Sequence, residues 1–160
     1  MAIDLLGPIL DQYLECAVES LTVPVTRALV QVGSEVAHDD CCGGQVWVRV
    51  LSINPVYPGT APANCAPIYY NVILAMGIVR CAATVDDNGV APSADTITAE
   101  AHQMTQDMHD LMQAIQCCPP KPMPVMGGWS PTGPLGGCAG GEWTFTIKMD
   151  NCGCLEATPV

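Results

Sequence analysis

The sequence predicts an α+β fold: a small, mostly antiparallel sheet with two main helices packed on one face, and long Pro/Gly-rich arms. Three observations carry that reading. Apolar residues recur at helical spacing in two segments, strict alternation marks strands elsewhere, and dense Pro/Gly runs separate these elements. The order of helix, strand, long strand, helix, strand describes one α+β domain spanning 1–160. No internal repeat is visible.

Residues 3–21 read as the first helix. Ile3, Leu6, Leu10, Leu14, Ala17, Val18 and Leu21 follow helical spacing. Pro8 fits in a first turn, where its missing N–H does little harm, so the regular helix starts nearer Gly7 than Ile3. Pro24 limits continuation. VTRALVQV, residues 25–32, fits either a short helix or an irregular lead-in, and 33–44 reads as a loop.

Residues 45–53 read as a strand, with Val46, Val48 and Val50 on one face and Gln45, Trp47, Arg49 and Leu51 on the other. NPVYPGTAPANCAP, residues 54–67, has four prolines and a glycine, and reads as a loop or projecting arm. IYYNVILAMGIVRCAAT, residues 68–84, is apolar almost throughout, which predicts a strand buried on both faces over part of its length. It is expected to pair with 45–53 as a hairpin.

Residues 95–116 read as the clearest helix. Ile97, Ala101, Met104, Met108, Leu111, Met112 and Ile115 form a stripe expected to face the core, with Ser93 or Asp95 as the N-cap. Residues 119–141 read as a second irregular arm, anchored at Trp129 and Leu135. Residues 142–150 alternate cleanly: Trp143, Phe145, Ile147 and Met149 against Glu142, Thr144, Thr146, Lys148 and Asp150.

Composition narrows the function. The chain has 160 residues, 49% of them apolar, and only 13% charged against about 25% in an ordinary domain. A surface so poor in charge suits an assembly subunit. Sixteen acidic residues face five cations, Arg27, Arg49, Arg80, Lys121 and Lys148, which are scattered along the chain. That disfavours a phosphate-neutralising patch and attachment to anionic lipid. No apolar run approaches the ~18 residues of a membrane span. The opening MAIDLLGPILDQYLE has neither the basic region nor the cleavage site of a signal peptide, so the protein is expected to stay where it is made.

Ten cysteines pose the sharpest question, and three readings stay open. A structural metal would draw on Cys138, Cys152 and Cys154, although no Cys-x2–4-Cys knuckle is present. Disulfides would join loops meeting at one end of the sheet, with Cys41, Cys42, Cys117, Cys118 and Cys138 as partners. Unbonded thiols are the third reading, with Cys16 and Cys81 acting as small hydrophobes inside apolar elements. The cytosol keeps thiols reduced, but a particle released from the cell can oxidise later. No catalytic residue or cofactor is assigned. There is no redox Cys-x-x-Cys, Gly-x-Ser-x-Gly, phosphate loop or His-Glu-x-x-His. His102 and His109 fall on the polar side of their helix. The interface candidates are Tyr57, Pro58, Pro62 and Tyr69 around the first arm, Trp129 and Leu135 in the second, and Thr144 and Thr146 on the last strand. The alternative for each arm is a loop folded over its own core.

The helix–hairpin–helix–strand order resembles the tail-terminator (tail-completion) proteins of long-tailed bacteriophages. The low-Lys, Ala/Gly/Pro-rich texture and the segment GPLGGCAGGEWTFTIKM are similar to small neck and tail-end proteins of phages infecting actinobacteria. The resemblance covers residues 3–150 and rests on element order, size and texture. It implies a virion structural protein rather than an enzyme. The subunits would form a homohexameric ring that caps the tail tube and joins it to the head-side connector or stopper. DNA would slide through an acidic lumen without specific binding. The implied location is the head–tail junction of the virion, after assembly in the host cytoplasm without membrane attachment. A head-closure, stopper or connector subunit is the near alternative. A small cytosolic Cys/His metal-binding protein or enzyme is the alternative of another class. The cysteine content departs from what is expected of the family and leaves the redox state of such a ring open.

Overall fold

A computed structural model describes residues 4–38, 41–57, 59, 67–118 and 123–150. The fold is α+β: two helices pack on a five-stranded, mostly antiparallel sheet. The elements are α1 (Gly7–Ser20), β1 (Arg27–Gln31), β2 (Gln45–Val56), β3 (Tyr69–Cys81), α2 (Ala94–Cys117), β4 (Val125–Leu135) and β5 (Cys138–Asp150). Strand order is β1-β2-β3-β5-β4, with β1 parallel to β2 and every other pair antiparallel.

Helix α1 begins at Gly7 with Pro8 in its first turn, where the backbone N–H groups lack intrahelical partners in any case. Asp4 accepts the N–H groups of Leu6 and Gly7 just ahead of it. Helix α2 is capped by Ser93, whose hydroxyl oxygen accepts from Thr96 N at 3.1 Å.

The core lies between the helices and one sheet face. Leu10, Tyr13 and Ala17 of α1 and Leu111, Ala114 and Ile115 of α2 meet Val46, Val48, Val72, Leu74, Met76, Ile78, Phe145 and Ile147. These strand residues occupy alternating, mutually paired positions, as period two requires. Tyr13 and Phe145 pack at a tilt, 5.0 Å between centroids.

Three expectations are corrected here. Residues 25–32 hold neither a helix nor an irregular lead-in. Residues 27–31 form edge strand β1, with Ala28 and Val30 opposite core-facing Val46 and Val48, and Leu29 packed on the other side. Apolar side chains on both faces erase the alternation that would have marked it.

Residues 119–141 are not an irregular arm throughout. Residues 125–135 form β4 and 138–141 extend β5, joined through Gly136 and Gly137 at φ +58° and +77°. Two adjacent positive φ angles are those of a hairpin turn matched to sheet twist, and they favour glycine. The prolines of β4 are tolerated because it is an edge strand. Gly127 and Gly128 lie where the pairing with β5 shifts register, between Met126 and Trp129.

The apolar stripe of α2 does not face the core along its whole length. Ile97 is 50% exposed and Ala101 is exposed, while Met104, Met108 and Met112 are half-buried. Only the C-terminal half, from Asp107 to Ile115, contributes fully buried side chains.

Elsewhere the boundaries shift but the assignments stand: β2 continues to Val56 and β3 ends at Cys81. Much of the arm at 54–67 lies outside the described residues. The Cys16 and Cys81 thiols are not free apolar side chains. Both are disulfide-bonded, as Cys16–Cys118 and Cys42–Cys81, and a third bond joins Cys41 to Cys138. Cys117 is exposed and free.

Candidate functional site

Two features stand apart from the core: a cleft beside α2 and the sheet face opposite the helices.

The cleft measures about 570 Å³. It lies between the N-terminal half of α2, the chain after β3, and the β4–β5 hairpin. Ile97, Ala101 and Met104 form one wall, Ala82, Val85 and Pro92 another, and Pro134 and Ala139 close it. Its polar edge is tightly paired. Arg80 Nε and Nη2 donate to the Asp107 carboxylate at 2.7 and 2.9 Å, and Arg80 Nη2 also donates to Val23 O at 2.6 Å. Gln103 adds a 3.1 Å bond to Asp107, and Glu100 accepts from Ala83 N at 2.8 Å. One turn along, Asp110 accepts from Thr22 N and from Gln106 Nε2, each at 2.7 Å. Burial works to raise the Asp110 pKa, but these donors, with His109 nearby, hold it below the ordinary value.

On the opposite sheet face, the half nearest β1 is covered. Trp47 lies over Gly77, where a Cβ would collide with the indole. Glu142 accepts from Trp47 Nε1 at 3.2 Å and takes a bidentate pair from Arg49 at 3.1 and 2.6 Å. Arg49 Nη1 also donates to the carbonyls of Gly33 and Ser34, which draws the β1–β2 connection over this face. Leu29, Val36 and Cys41 complete the cover with Val79 and Cys138.

The other half of that face lacks such cover among the described residues. Ser52, Ile73, Thr146 and Val125 stand in a row across β2, β3, β5 and β4, and Val125 is 70% exposed. Thr144 and Thr146 are half-buried there, and the Thr144 hydroxyl donates to Gly128 O at 3.4 Å. Tyr69 lies at the same end with the Lys148 ammonium 4.3 Å from its ring centroid.

The remaining candidates separate. Tyr57 is exposed at the end of β2, and Pro58 and Pro62 lie outside the described residues. Trp129 is half-buried, packed 5.7 Å from Trp143, and so holds the β4–β5 hairpin together as well as bordering its surface. Leu135 is 69% exposed beside the hairpin turn. Of the metal candidates, Cys138 is disulfide-bonded and Cys152 and Cys154 lie outside the described residues. Of the disulfide candidates, Cys41, Cys42, Cys118 and Cys138 are bonded and Cys117 is not. His102 and His109 are exposed.

Sequence reasoning missed the two arginine–carboxylate pairs, because the cations look isolated along the chain. The accompanying Gln103–Asp107 and Gln106–Asp110 bonds did leave a signal, since both pairs are spaced i, i+4 on one helix.

No family model matches the chain, and no curated protein matches its sequence. Among the described residues, no helix is long and apolar enough to cross a membrane.

Proposed function

We propose that the protein is a structural subunit of the head–tail junction of a long-tailed bacteriophage, and specifically a tail terminator. Its ring would cap the tail tube and meet the head-side connector; a head-closure or connector subunit is the near variant of the same reading. The observation that carries it is the half-covered sheet. One face is closed by both helices. Among the described residues the other is closed only near β1, leaving the row Ser52–Ile73–Thr146–Val125 and the neighbouring Tyr69 available to another subunit. Aromatic and apolar groups with little charge are what a subunit interface buries at its centre. The low charge content and the acidic balance of 16 to 5 support a ring through which DNA slides without sticking.

The test is light scattering and negative-stain imaging of the purified protein, alone and mixed with its tail tube protein. Rings of about six subunits, alone or seated on tube ends, are expected from the homohexameric ring the resemblance implies. A monomer that also ignores tube ends would overturn the reading. Deleting residues 57–64 should leave a folded monomer that no longer assembles, whereas an unfolded product would place that arm in the core.

A further inference from the structure

Four cysteines from three separate segments converge on one point. Cys81 closes β3 and Cys138 opens β5, and the two are direct partners in the β3–β5 register. Partners across adjacent strands project to the same face, here the one opposite the helices. Cys41 and Cys42 are adjacent in the turn before β2; Cys41 is bonded to Cys138 and Cys42 to Cys81. The two disulfides therefore lie side by side at the same end of the β3–β5 pair. Their scaffold is fixed by backbone bonds: Gly44 N donates to Cys41 O at 2.9 Å, and Ala82 N donates to Gly137 O at 2.7 Å. Cys41 and Cys138 are buried, whereas Cys42 and Cys81 are exposed, so the pair of disulfides has a closed side and an open one.

In this disulfide form the sulfurs are bonded to one another. No group of three or more His, Cys, Asp or Glu among the described residues is placed to hold a metal. We propose that when the two disulfides are reduced, the four sulfurs form a tetrathiolate site for a soft divalent cation, zinc first. Four thiolates with no carboxylate or imidazole among them are the donor set of a structural zinc site. Such a site needs no Cys-x2–4-Cys knuckle when strand pairing and a turn bring the ligands together.

The chemistry balances. A thiol pool such as glutathione reduces each disulfide by two electrons, with two protons taken up, and two glutathiones become one glutathione disulfide. Binding the cation then releases the four thiol protons, leaving a centre of net charge −2. Two sulfurs on one zinc lie ~3.8 Å apart, given a Zn–S length of ~2.3 Å, against ~2.05 Å in a disulfide. Each pair must open by that difference, through rotation about the cysteine side-chain bonds on a backbone that stays in place. The cytosol favours the metal form and an oxidising exterior the disulfide form. The site does not rest on the phage reading, and either can fail alone.

The experiment uses the full chain, reduced with a phosphine under anaerobic conditions and titrated with Co²⁺ and then Zn²⁺. One equivalent of cobalt should give sulfur-to-cobalt charge-transfer absorption and the intense visible bands of a tetrahedral ion, and zinc should abolish both. Bound zinc should protect Cys41, Cys42, Cys81 and Cys138 from alkylation, leaving Cys117 reactive, as located by peptide mass spectrometry. The spectrum should persist in Cys152→Ser/Cys154→Ser and in Cys16→Ser/Cys118→Ser, and vanish in Cys42→Ser/Cys81→Ser. The absence of a tetrahedral cobalt spectrum in the reduced wild-type chain would overturn the proposal. So would protection of a different cysteine set, or loss of the spectrum in Cys152→Ser/Cys154→Ser. The alkylation readout needs no variant, so it decides the matter even where a double substitution fails to fold.

Discussion

Replacing Arg80 with Met should be among the most destabilising single changes in this chain. The Asp107 carboxylate is 1% exposed, and Arg80 gives it two of its three side-chain hydrogen bonds, the third coming from Gln103. Removing the arginine leaves a buried charge with one neutral donor, and breaking a buried pair from one side costs ~3–5 kcal/mol. The Val23 and Pro24 carbonyls also lose Arg80 as a donor, but they are exposed and water replaces it at little cost. Against a typical total stability of ~5–15 kcal/mol, the single variant would be close to unfolding. The reverse substitution, Asp107→Leu, should cost less, because Arg80 keeps both carbonyl acceptors and is itself partly exposed. The double variant Arg80→Met/Asp107→Leu removes both charges and should recover to within ~1–2 kcal/mol of the parent. Urea unfolding at fixed redox state, followed by tryptophan fluorescence, gives all four corners of the cycle. A cost below ~0.5 kcal/mol for Arg80→Met, the range of ordinary surface changes, would refute the reasoning. Strict additivity in the double variant would refute it equally.

Tyr13→Phe should raise stability by ~1 kcal/mol, because the buried hydroxyl has no hydrogen-bond partner among the described residues. Burial pushes the Tyr13 pKa up to about 12. Because burial disfavours the phenolate, the unfolded chain ionises first, and stability falls as pH rises from the unfolded value of ~10 to the folded value, so urea midpoints on the alkaline side should fall less steeply in the Phe variant. Asp110 has the opposite sign: with its pKa held down in the fold, its contribution is present above the unfolded value and lost as pH falls. Asp110→Asn should flatten the acid limb of stability against pH, and an unchanged limb would remove Asp110 from the account. The Cys16–Cys118 bond closes a separation of 102 residues, worth up to ~4.7 kcal/mol by chain entropy. Cys16→Ser/Cys118→Ser should accordingly lower the thermal midpoint measured under oxidising conditions while matching the parent chain under reduction.

The elements that were legible are those in which one physical signal dominates. Strand β5 alternates because one face meets the helices and the other does not, and Trp143, Phe145, Ile147 and Met149 mark it directly. Helix α2 was legible in period and cap, yet its period says only that Ile97, Ala101 and Met104 share a face, not what covers it. That depends on how far the sheet extends beneath the helix, and these residues border the cleft instead. Strand β4 was hidden because Gly and Pro weigh against a strand in local terms, while an edge position removes most of their penalty. The Gly136–Gly137 pair between two apolar runs was the available signal for its hairpin. The cysteine pairing was beyond reach, since spacing alone does not fix connectivity. Only the β3–β5 register places Cys81 beside Cys138 and brings both within reach of the Cys41–Cys42 turn.

The two edges of the sheet are managed differently, and this bears on how copies of the chain would meet. Strand β4 presents an edge interrupted by the Gly127–Gly128 shift and by Pro131 and Pro134, so it offers no continuous row of donors and acceptors to a neighbouring strand. At the other edge, β1 pairs with β2 only as far as Arg49, while β2 continues to Val56. From Val50 onward the outer side of β2 has no strand partner among the described residues, and Leu51 and Ile53 there are 40% and 47% exposed. This stretch adjoins, through Ser52, which pairs with Ile73, the half of the sheet face that lacks cover among the described residues. An open edge and a mixed Ser/Thr and aliphatic face that meet at one corner form a single surface, which one neighbouring subunit can bury at once. Pairing through β4 would leave that corner exposed; the β2 stretch has its own breaks at the Val50–Ser52 shift and at Pro55, so in the proposed ring it would be buried by side-chain packing and not by a continuous added strand.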